Sequence, residues 1–334
     1  MSSFLDAATG YVQSAWQSAF WVFSAPDSFL IPWPMAVALL IGAIVVAARR
    51  RKSGASVSLR SIASELFPAR IYQHASARHD FWIILINQGL FYFLPIGAAL
   101  TIGVFQYSIT DALGLQSAMH APPRRGVVHL ALFSVYAMLV WDFFATYAHY
   151  LKHKIPVLWE LHKVHHCAEV LTPLTALRRH PVEIVVSGLI TSGGIAGSMI
   201  VWVLIFGAPG TALEIVGISA GVYLWRLLGY NIRHSHIWIS YGPFWNNILM
   251  SPAHHQLHHS RDPRHYDCNF GHIFPFWDRL FGTLYQPIDG EEFEFGIERE
   301  ENEKLRTLSA LYFRPLKKAA ERFVPDAGKP VVAE

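Results

Sequence analysis

VVHLALFSVYAMLVWDFFATYAHYLKH, residues 127–153, is a long apolar run that ends in two histidines. A membrane-spanning helix needs about 20 mainly apolar residues, and this run has that length. Residues four apart on a helix share a face, so His149 and His153 point the same way from its end. The run therefore predicts a spanning helix that presents a histidine pair at the membrane border.

The composition of the whole chain agrees with a membrane protein. Of its 334 residues 52% are hydrophobic and 15% are charged, against about 25% charged in a typical soluble domain. The net charge of +3 is small, and the basic residues stand beside apolar runs rather than in a nucleic-acid patch. We therefore predict an all-α polytopic membrane bundle with no nucleic-acid partner.

Four further apolar runs occur, at 30–48, 81–105, 182–206 and, more weakly, 211–229. Arginine and lysine favour the cytosolic side of a membrane. Basic residues are dense between the first two runs and again after residue 149, but the loop 106–126 holds only Arg124 and Arg125. This asymmetry places the histidine-rich segments together in a cytosolic helical cap of a multi-pass protein, in a bacterial inner membrane or the endoplasmic reticulum.

The two ends of the chain differ from its middle. Residues 1–29 mix aromatic and polar side chains without a basic start, which favours an interfacial amphipathic segment over a cleavable signal peptide. Residues 284–334 are polar and predict a soluble tail. The catalytic domain is expected between them, at 30–283.

Eleven of the 18 histidines form tight clusters. Neutral imidazole is the commonest metal ligand, and the spacings place several rings of each cluster on one helix face. These are too many imidazoles for one ion, and an all-nitrogen set suits iron, copper or zinc. The two cysteines, Cys167 and Cys268, form no CxxC pair, which argues against an iron–sulfur cluster or zinc ribbon within the chain.

The motifs resemble the membrane-bound fatty acid hydroxylase/sterol desaturase superfamily. The matching segments are DFFATYAHYLKH at 142–153, LWELHKVHH at 158–166, RHPVE at 179–183, SPAHHQLHHSRD at 251–262, and NFG with WDRLFGT between 269 and 283. The resemblance implies a di-iron, O₂-dependent membrane oxygenase that acts on a lipid. It also implies a separate electron carrier, such as a ferredoxin or a b-type cytochrome with its reductase.

The resemblance also implies the ligands. The expected iron ligands are His149, His153, His162, His165, His166, His234, His255, His258 and His259, with His236 as a further candidate because Tyr230 stands where some members have a histidine. His254 lies off the ligand face of its helix and is expected to be no ligand.

Three more residues are candidates for supporting the reaction. Asp142 lies within an apolar run, where a carboxylate is costly and so suggests a function; we expect it to bond a ligand imidazole or an arginine near the metal. His180 is open as a ligand, a partner of a ligand or a helix-end residue. Glu183 could orient a ligand histidine, as carboxylates near metal sites do.

Hydroxylation and desaturation both begin with loss of hydrogen from a C–H bond, and the histidine motifs do not separate them. A sterol, a fatty acyl chain and an amino-acid-headed lipid remain open as substrates. Two alternatives to the enzyme are a non-catalytic metal-binding or transport protein and a b-type cytochrome.

Overall fold

The computed structural model describes residues 32–93, 102–115, 117, 126–207, 214–215 and 218–322, and the regular secondary structure of this part is almost wholly helical. In chain order the helices are α1 (Pro32–Lys52), α2 (Leu59–Leu66), α3 (Ala69–Tyr72), α4 (Ala75–Phe93), α5 (Ile102–Ala112), α6 (Val127–Lys154), α7 (Pro156–His166), α8 (Pro181–Phe206), α9 (Ala220–Trp225), α10 (Asn231–Arg233), α11 (Gly242–Trp245), α12 (Pro252–His258), α13 (Phe276–Phe281), α14 (Arg299–Glu303) and α15 (Leu308–Glu321). Short 3-10 turns lie at Pro173–Leu177 and Pro263–His265, and a π-helical turn at Arg226–Tyr230. Strands β1 (Glu214–Ile215) and β2 (Ile218–Ser219) form a two-residue antiparallel ladder with Glu214 opposite Ser219.

Within the described residues, α6 and α8 are the two helices that are long and apolar enough to cross a membrane. In their most apolar windows only 17% and 28% of the residues are buried inside the protein. Large side chains such as Leu132, Leu189 and Leu204 are therefore more than 45% exposed. Apolar faces of this extent are unfavourable in water, and a bilayer is the environment that fits them.

The predicted apolar runs correspond to the structure to different degrees. The runs at 30–48, 127–148 and 182–206 coincide with α1, α6 and α8. The run at 81–105 lies partly in α4 and α5, with 94–101 outside the described residues. The weak run at 211–229 is not one helix, because its described part consists of the β ladder, α9 and most of the π-helical turn. The predicted interfacial segment 1–29 lies outside the described residues.

A proline separates the two helices that carry the first two histidine clusters. The residue before a proline is driven out of the helical region, and Ile155 accordingly adopts φ −98° and ψ 113°. Helix α6 ends there, and α7 begins at once with Pro156 as its first residue, a position where proline loses no hydrogen bond. The corner turns α7 back so that its histidines face those at the end of α6.

The C-terminal segment packs on α7. Leu305 and Leu311 join a buried cluster with Val164, Cys167 and Ile83, so α15 and α7 share one core. Lys163 of α7 donates to Glu301 at 2.8 Å. The segment predicted as a separate soluble tail thus contributes to the packing of the histidine-bearing helix.

Candidate metal centre

Nine of the ten histidines proposed as ligands from the sequence lie in two compact groups. Within each group the candidate ligand atoms are all within 4.8 Å of one another. Group A consists of His149, His153, His162, His166 and His258. Group B consists of His165, His234, His255 and His259. The groups adjoin, since the ring centres of His166 and His259 are 4.6 Å apart.

The ε-nitrogens point inward. In group A the ε-nitrogens of His149 and His258 are 3.0 Å apart, and those of His153 and His166 are 3.1 Å apart. In group B the ε-nitrogen of His255 is 2.7 Å from that of His234 and 3.1 Å from that of His259. Nitrogen lone pairs gathered in this way suit shared metal ions better than hydrogen bonds among themselves.

The δ-nitrogens of group A point outward to oxygen acceptors. The δ-nitrogen of His149 donates to the Phe270 carbonyl at 3.0 Å, and that of His258 to the Cys268 carbonyl at 2.6 Å. The δ-nitrogen of His162 lies 3.2 Å from Glu183, which is the orienting contact expected from the sequence. A hydrogen on the outer nitrogen leaves the inner one as the ligand atom.

His165 of group B is held in the same way, through a buried ion pair. Its δ-nitrogen lies 3.3 Å from the Arg178 carbonyl. The Arg178 guanidinium pairs with Asp80 at 3.1 Å and donates to the Val164 carbonyl at 2.8 Å. Asp80 also accepts from Thr175 at 2.6 Å, so helix α4 and the 3-10 turn fix the acceptor.

Burial keeps these imidazoles neutral. For the seven outside the apolar spanning helices, desolvation by burial is the largest cause that holds the pKa well below 6.5, and the charge of Lys152 or Arg233 lowers the pKa further in five of them. The seven residues are His162, His165, His166, His234, His255, His258 and His259. Metal ions bind the neutral ring, so the site is prepared for a cation.

Asp142 has a different role from the one expected. Its two oxygens accept from the backbone N–H groups of Ile273 and Phe274 at 2.8 and 3.1 Å and from the indole of Trp277 at 2.9 Å, rather than from a ligand imidazole or an arginine. The carboxylate is completely buried. It ties α6 to the segment whose carbonyls orient His149 and His258, and so supports group A indirectly.

Two histidines considered as ligands lie outside both groups. The ε-nitrogen of His236 is 2.8 Å from the Glu65 carbonyl. His180 precedes α8 and caps it, with its δ-nitrogen accepting from the Val182 N–H at 3.2 Å and its ε-nitrogen 3.0 Å from the Tyr312 carbonyl. Both ring nitrogens of His180 and the ε-nitrogen of His236 are thus engaged in contacts that hold segments together.

His254 also lies outside the groups, as expected from its place on the helix. Its δ-nitrogen accepts from the Ser251 N–H at 3.1 Å and is 2.8 Å from the Ser251 hydroxyl. This is a capping box at the start of α12, which satisfies helix N–H groups that would otherwise lack partners. His254 therefore supports the helix that carries His255 and His258.

A cavity of about 560 Å³ joins the histidine groups to the apolar helices. It is lined by His149 and His255 of the histidine groups and by small residues of α6 and α8, such as Ala145 and Thr191. Its volume lies within the range of ligand pockets. A long apolar molecule lying between α6 and α8 could reach the histidines through it.

The donor set fits metal ions. Nine imidazoles, eight of them buried, form one group of five and one of four. This number exceeds what one ion takes up. Iron, copper or zinc would accept all-nitrogen ligation of this kind. Group A and group B would each hold one ion, and the Glu183 carboxylate would help to neutralise the added charge.

Several contributors were not identified from the sequence. The carbonyls of Cys268 and Phe270 carry no side-chain signal. The turn that aims them depends on left-handed backbone at Asp267 and Asn269, with φ of 56° and 57°; aspartate and asparagine tolerate this conformation best after glycine. Arg233, whose η2-nitrogen is 2.8 Å from the δ-nitrogen of His255, belongs to no motif.

The middle of the chain is similar to a known protein family and to several lipid-modifying enzymes. Residues 134–283 match the fatty acid hydroxylase family model. The chain is 31% identical to an alkylglycerol monooxygenase of Danio rerio over 42% of this chain and 28% of that protein. It is 26% identical to a Delta(7)-sterol 5(6)-desaturase of Gibberella zeae over 60% of this chain and 55% of that protein. It is 25% identical to an ornithine lipid hydroxylase of Rhizobium tropici over 49% and 45%, respectively.

These matches confirm the resemblance drawn from the histidine motifs. The chain spans only 28% to 32% of the length of the alkylglycerol monooxygenases it matches. No solved structure matches the chain.

Proposed function

Because residues 134–283 match the fatty acid hydroxylase family model, we propose that this protein is an O₂-dependent di-iron membrane oxidoreductase that hydroxylates or desaturates a lipid. The observation that carries the proposal is the pair of adjoining histidine groups at the end of a cavity between two apolar helices. Two bound irons would supply O₂ activation and the oxidation of a C–H bond. The chain supplies ligation, orientation and the exclusion of water.

The residues around the groups perform these tasks. The Cys268 and Phe270 carbonyls and Glu183 hold imidazoles in the orientation that directs the ε-nitrogens inward. All but one of the nine rings are buried, which keeps bulk water from the reacting centre. The apolar side walls of the cavity would align a lipid chain with its C–H bonds toward the histidines.

We propose that the histidine groups face the cytosol of a multi-pass protein. The basic C-terminal end of α1 supports this orientation, because Arg49 donates to the Trp238 carbonyl and Arg50 pairs with Glu65. The same Glu65 contributes its carbonyl to His236. The basic end of α1 and the segment preceding α12 therefore lie at the same end of the bundle. Because basic residues favour the cytosolic side of a membrane, this supports a cytosolic location for that end.

A separate electron carrier, a ferredoxin or a b-type cytochrome with its reductase, would deliver the electrons. A second cavity of about 350 Å³ reaches group A from the polar side and is lined by His153, Trp159 and His166. It offers an approach to the metal centre that does not compete with the lipid cavity.

The two alternatives predict other properties. A haem is bound by one or two axial ligands, whereas the candidate ligand atoms here form groups of five and four that lie within 4.8 Å of one another. A metal-transport site is expected near the bilayer midplane, whereas these rings lie at the polar ends of α6 and α8. Neither alternative accounts for a lipid-sized cavity that ends at the histidines.

The proposal is tested by comparing lipids and metal in cells that express the chain. The wild type should contain about two irons per chain, as two ligand groups require, and should produce lipids that gain one oxygen or lose two hydrogens. His258→Ala, which removes a group A ligand, should lose both properties. His79→Ala, outside both groups, is the matched control. A folded His258→Ala variant with unchanged iron and lipid products would disprove the ligand assignment.

A further inference from the structure

The lipid cavity has a cationic wall beside the histidine groups. Lys152, Arg179, Arg226 and Arg233 all line it, and no aspartate or glutamate of the described residues does. Glu183, just behind the wall, pairs with Lys152 at 2.8 Å and with Arg179 at 3.1 Å. One carboxylate thus serves two cations, so Lys152, Arg179 and Arg233 together carry more positive charge than Glu183 neutralises before any metal binds.

Arg233 is the most unusual of these cations. Its side chain is only 6% exposed, and among the described residues it forms no ion pair, while Asp142 attracts it from beyond ion-pair distance. Its ε-nitrogen is buried without a hydrogen-bond partner. Its guanidinium stands over the Trp225 ring, 5.6 Å from the ring centre. A buried cation without a carboxylate is costly, so a counter-charge from outside the chain is expected.

Among the described residues, the one hydrogen-bond partner of Arg233 is a proposed metal ligand. Its η2-nitrogen is 2.8 Å from the δ-nitrogen of His255. When the ε-nitrogen of a neutral imidazole binds a metal, the δ-nitrogen carries the hydrogen and cannot accept another. Arginine is a donor only, so metal binding leaves Arg233 facing the cavity with no acceptor. An anion in the cavity would accept from Arg233 and from His255 together.

We propose, on the basis of the function given above, that the lipid oxidised in this cavity carries an anionic head group, and that Arg233 binds it. The head group is a phosphate or a carboxylate, because the planar guanidinium donates to both in a two-point geometry. Lys152 and Arg179, which share Glu183, reinforce the positive potential around it.

The position of Arg233 also determines which part of the lipid is oxidised. Its η2-nitrogen is 3.4 Å from the ε-nitrogen of His255, so a bound anion lies next to group B. The C–H bond that meets the metal centre then belongs to the head group or to carbons attached directly to it. The acyl chain extends away between α6 and α8.

Binding can be measured without turnover. The full chain in a neutral detergent, with and without iron, is titrated with three lipids that share one oleoyl chain: lysophosphatidic acid, N-oleoylglycine and monooleoylglycerol. Tryptophan fluorescence reports occupancy, since Trp141 and Trp225 line the cavity. We expect at least one of the two anionic lipids to bind about tenfold or more tightly than the neutral one, as a buried charge-assisted contact requires. The tighter of the two anions identifies the head group as phosphate or carboxylate, and equal binding means that charge alone is recognised.

Substitutions assign the preference to Arg233. Arg233→Gln should abolish the preference for anionic over neutral lipid, and Arg233→Lys should keep part of it. Lys317 is an exposed cation on α15, and Lys317→Gln should leave the preference unchanged. Equal binding of all three lipids by the wild type, or a preference retained in folded Arg233→Gln, would overturn the proposal. Absence of iron or of lipid oxidation would instead contradict the proposed function, because the binding preference is measured separately.

Discussion

At the scale of single residues, the proposed metal centre depends on which nitrogen of each imidazole carries the hydrogen. Glu183 is 1% exposed, and one of its oxygens meets Lys152, His162 and Arg179. It is the carboxylate that both orients a ligand and compensates buried cations. Such outer partners are commonly worth a factor of about 10–100 in metal affinity.

Glu183→Gln should therefore weaken iron binding about 10- to 100-fold and lower the melting temperature, because Lys152 loses its charge partner while it stays buried. Iron retained after dialysis against a graded chelator series measures the first effect, and thermal unfolding the second. Glu303→Gln, on the exposed surface, is the control. A folded Glu183→Gln protein with wild-type iron retention would show that the carboxylate does not orient His162.

At the scale of elements, the centre is assembled by segments that hold one another. The segment 268–277 contributes no proposed ligand, yet its carbonyls fix two group A rings. Asp142 of α6 secures one end of it, and Asp278 accepts from the Phe270 and Gly271 N–H groups at 2.8 and 2.7 Å. Two buried carboxylates thus hold a loop that would otherwise leave backbone donors unsatisfied.

Asp142→Asn removes one of the acceptors that fix this segment and should destabilise the protein by about 1–3 kcal/mol, the cost of leaving a buried donor unpaired. Iron should fall from about two toward one per chain, because group A loses its support while group B keeps the Arg178 carbonyl. Metal analysis together with thermal unfolding gives both numbers. Equal loss of both irons would mean that the segment supports the two groups alike.

At the scale of the whole molecule, the protein buries a large number of neutral imidazoles in one place. Their pKa is held below 6.5 in the folded chain, while the unfolded chain has the ordinary value of about 6.5. Below that pH the unfolded chain binds more protons than the folded one, so stability must decrease as the pH falls. Above about pH 6.5 these histidines are neutral in both the folded and the unfolded chain, so they do not make the stability depend on pH.

The metal-free protein should accordingly lose stability between about pH 6.5 and 5, by about 1.4 kcal/mol per pH unit for each histidine that is protonated only on unfolding. Thermal unfolding in detergent from pH 8 to 5 measures this. The iron-loaded protein should be more stable at pH 7 and should release its metal over the same acidic range. A metal-free melting temperature that is constant or rises as the pH falls would contradict the burial of neutral rings.

Much of this arrangement was predictable because it depends on local rules. Apolar length located α1, α6 and α8, since a bilayer sets the length of a spanning helix. Helical spacing identified eight of the nine histidines that the structure brings together, since residues three and four apart share a face, and the family resemblance added His234. The 211–229 segment was harder, because its apolar run is too short and too interrupted to determine one conformation.

The sequence by itself determined that imidazoles would gather at the end of apolar helices. Only the tertiary structure decided which imidazoles belong to group A and which to group B. His165 and His166 are neighbours in the chain and belong to different groups, as do His258 and His259. Successive helical residues point about 100° apart, so each side chain meets whatever other segment lies in its direction. Those segments, and the carbonyls and Arg233 that they contribute, are placed by contacts between residues far apart in the chain, which no local pattern encodes.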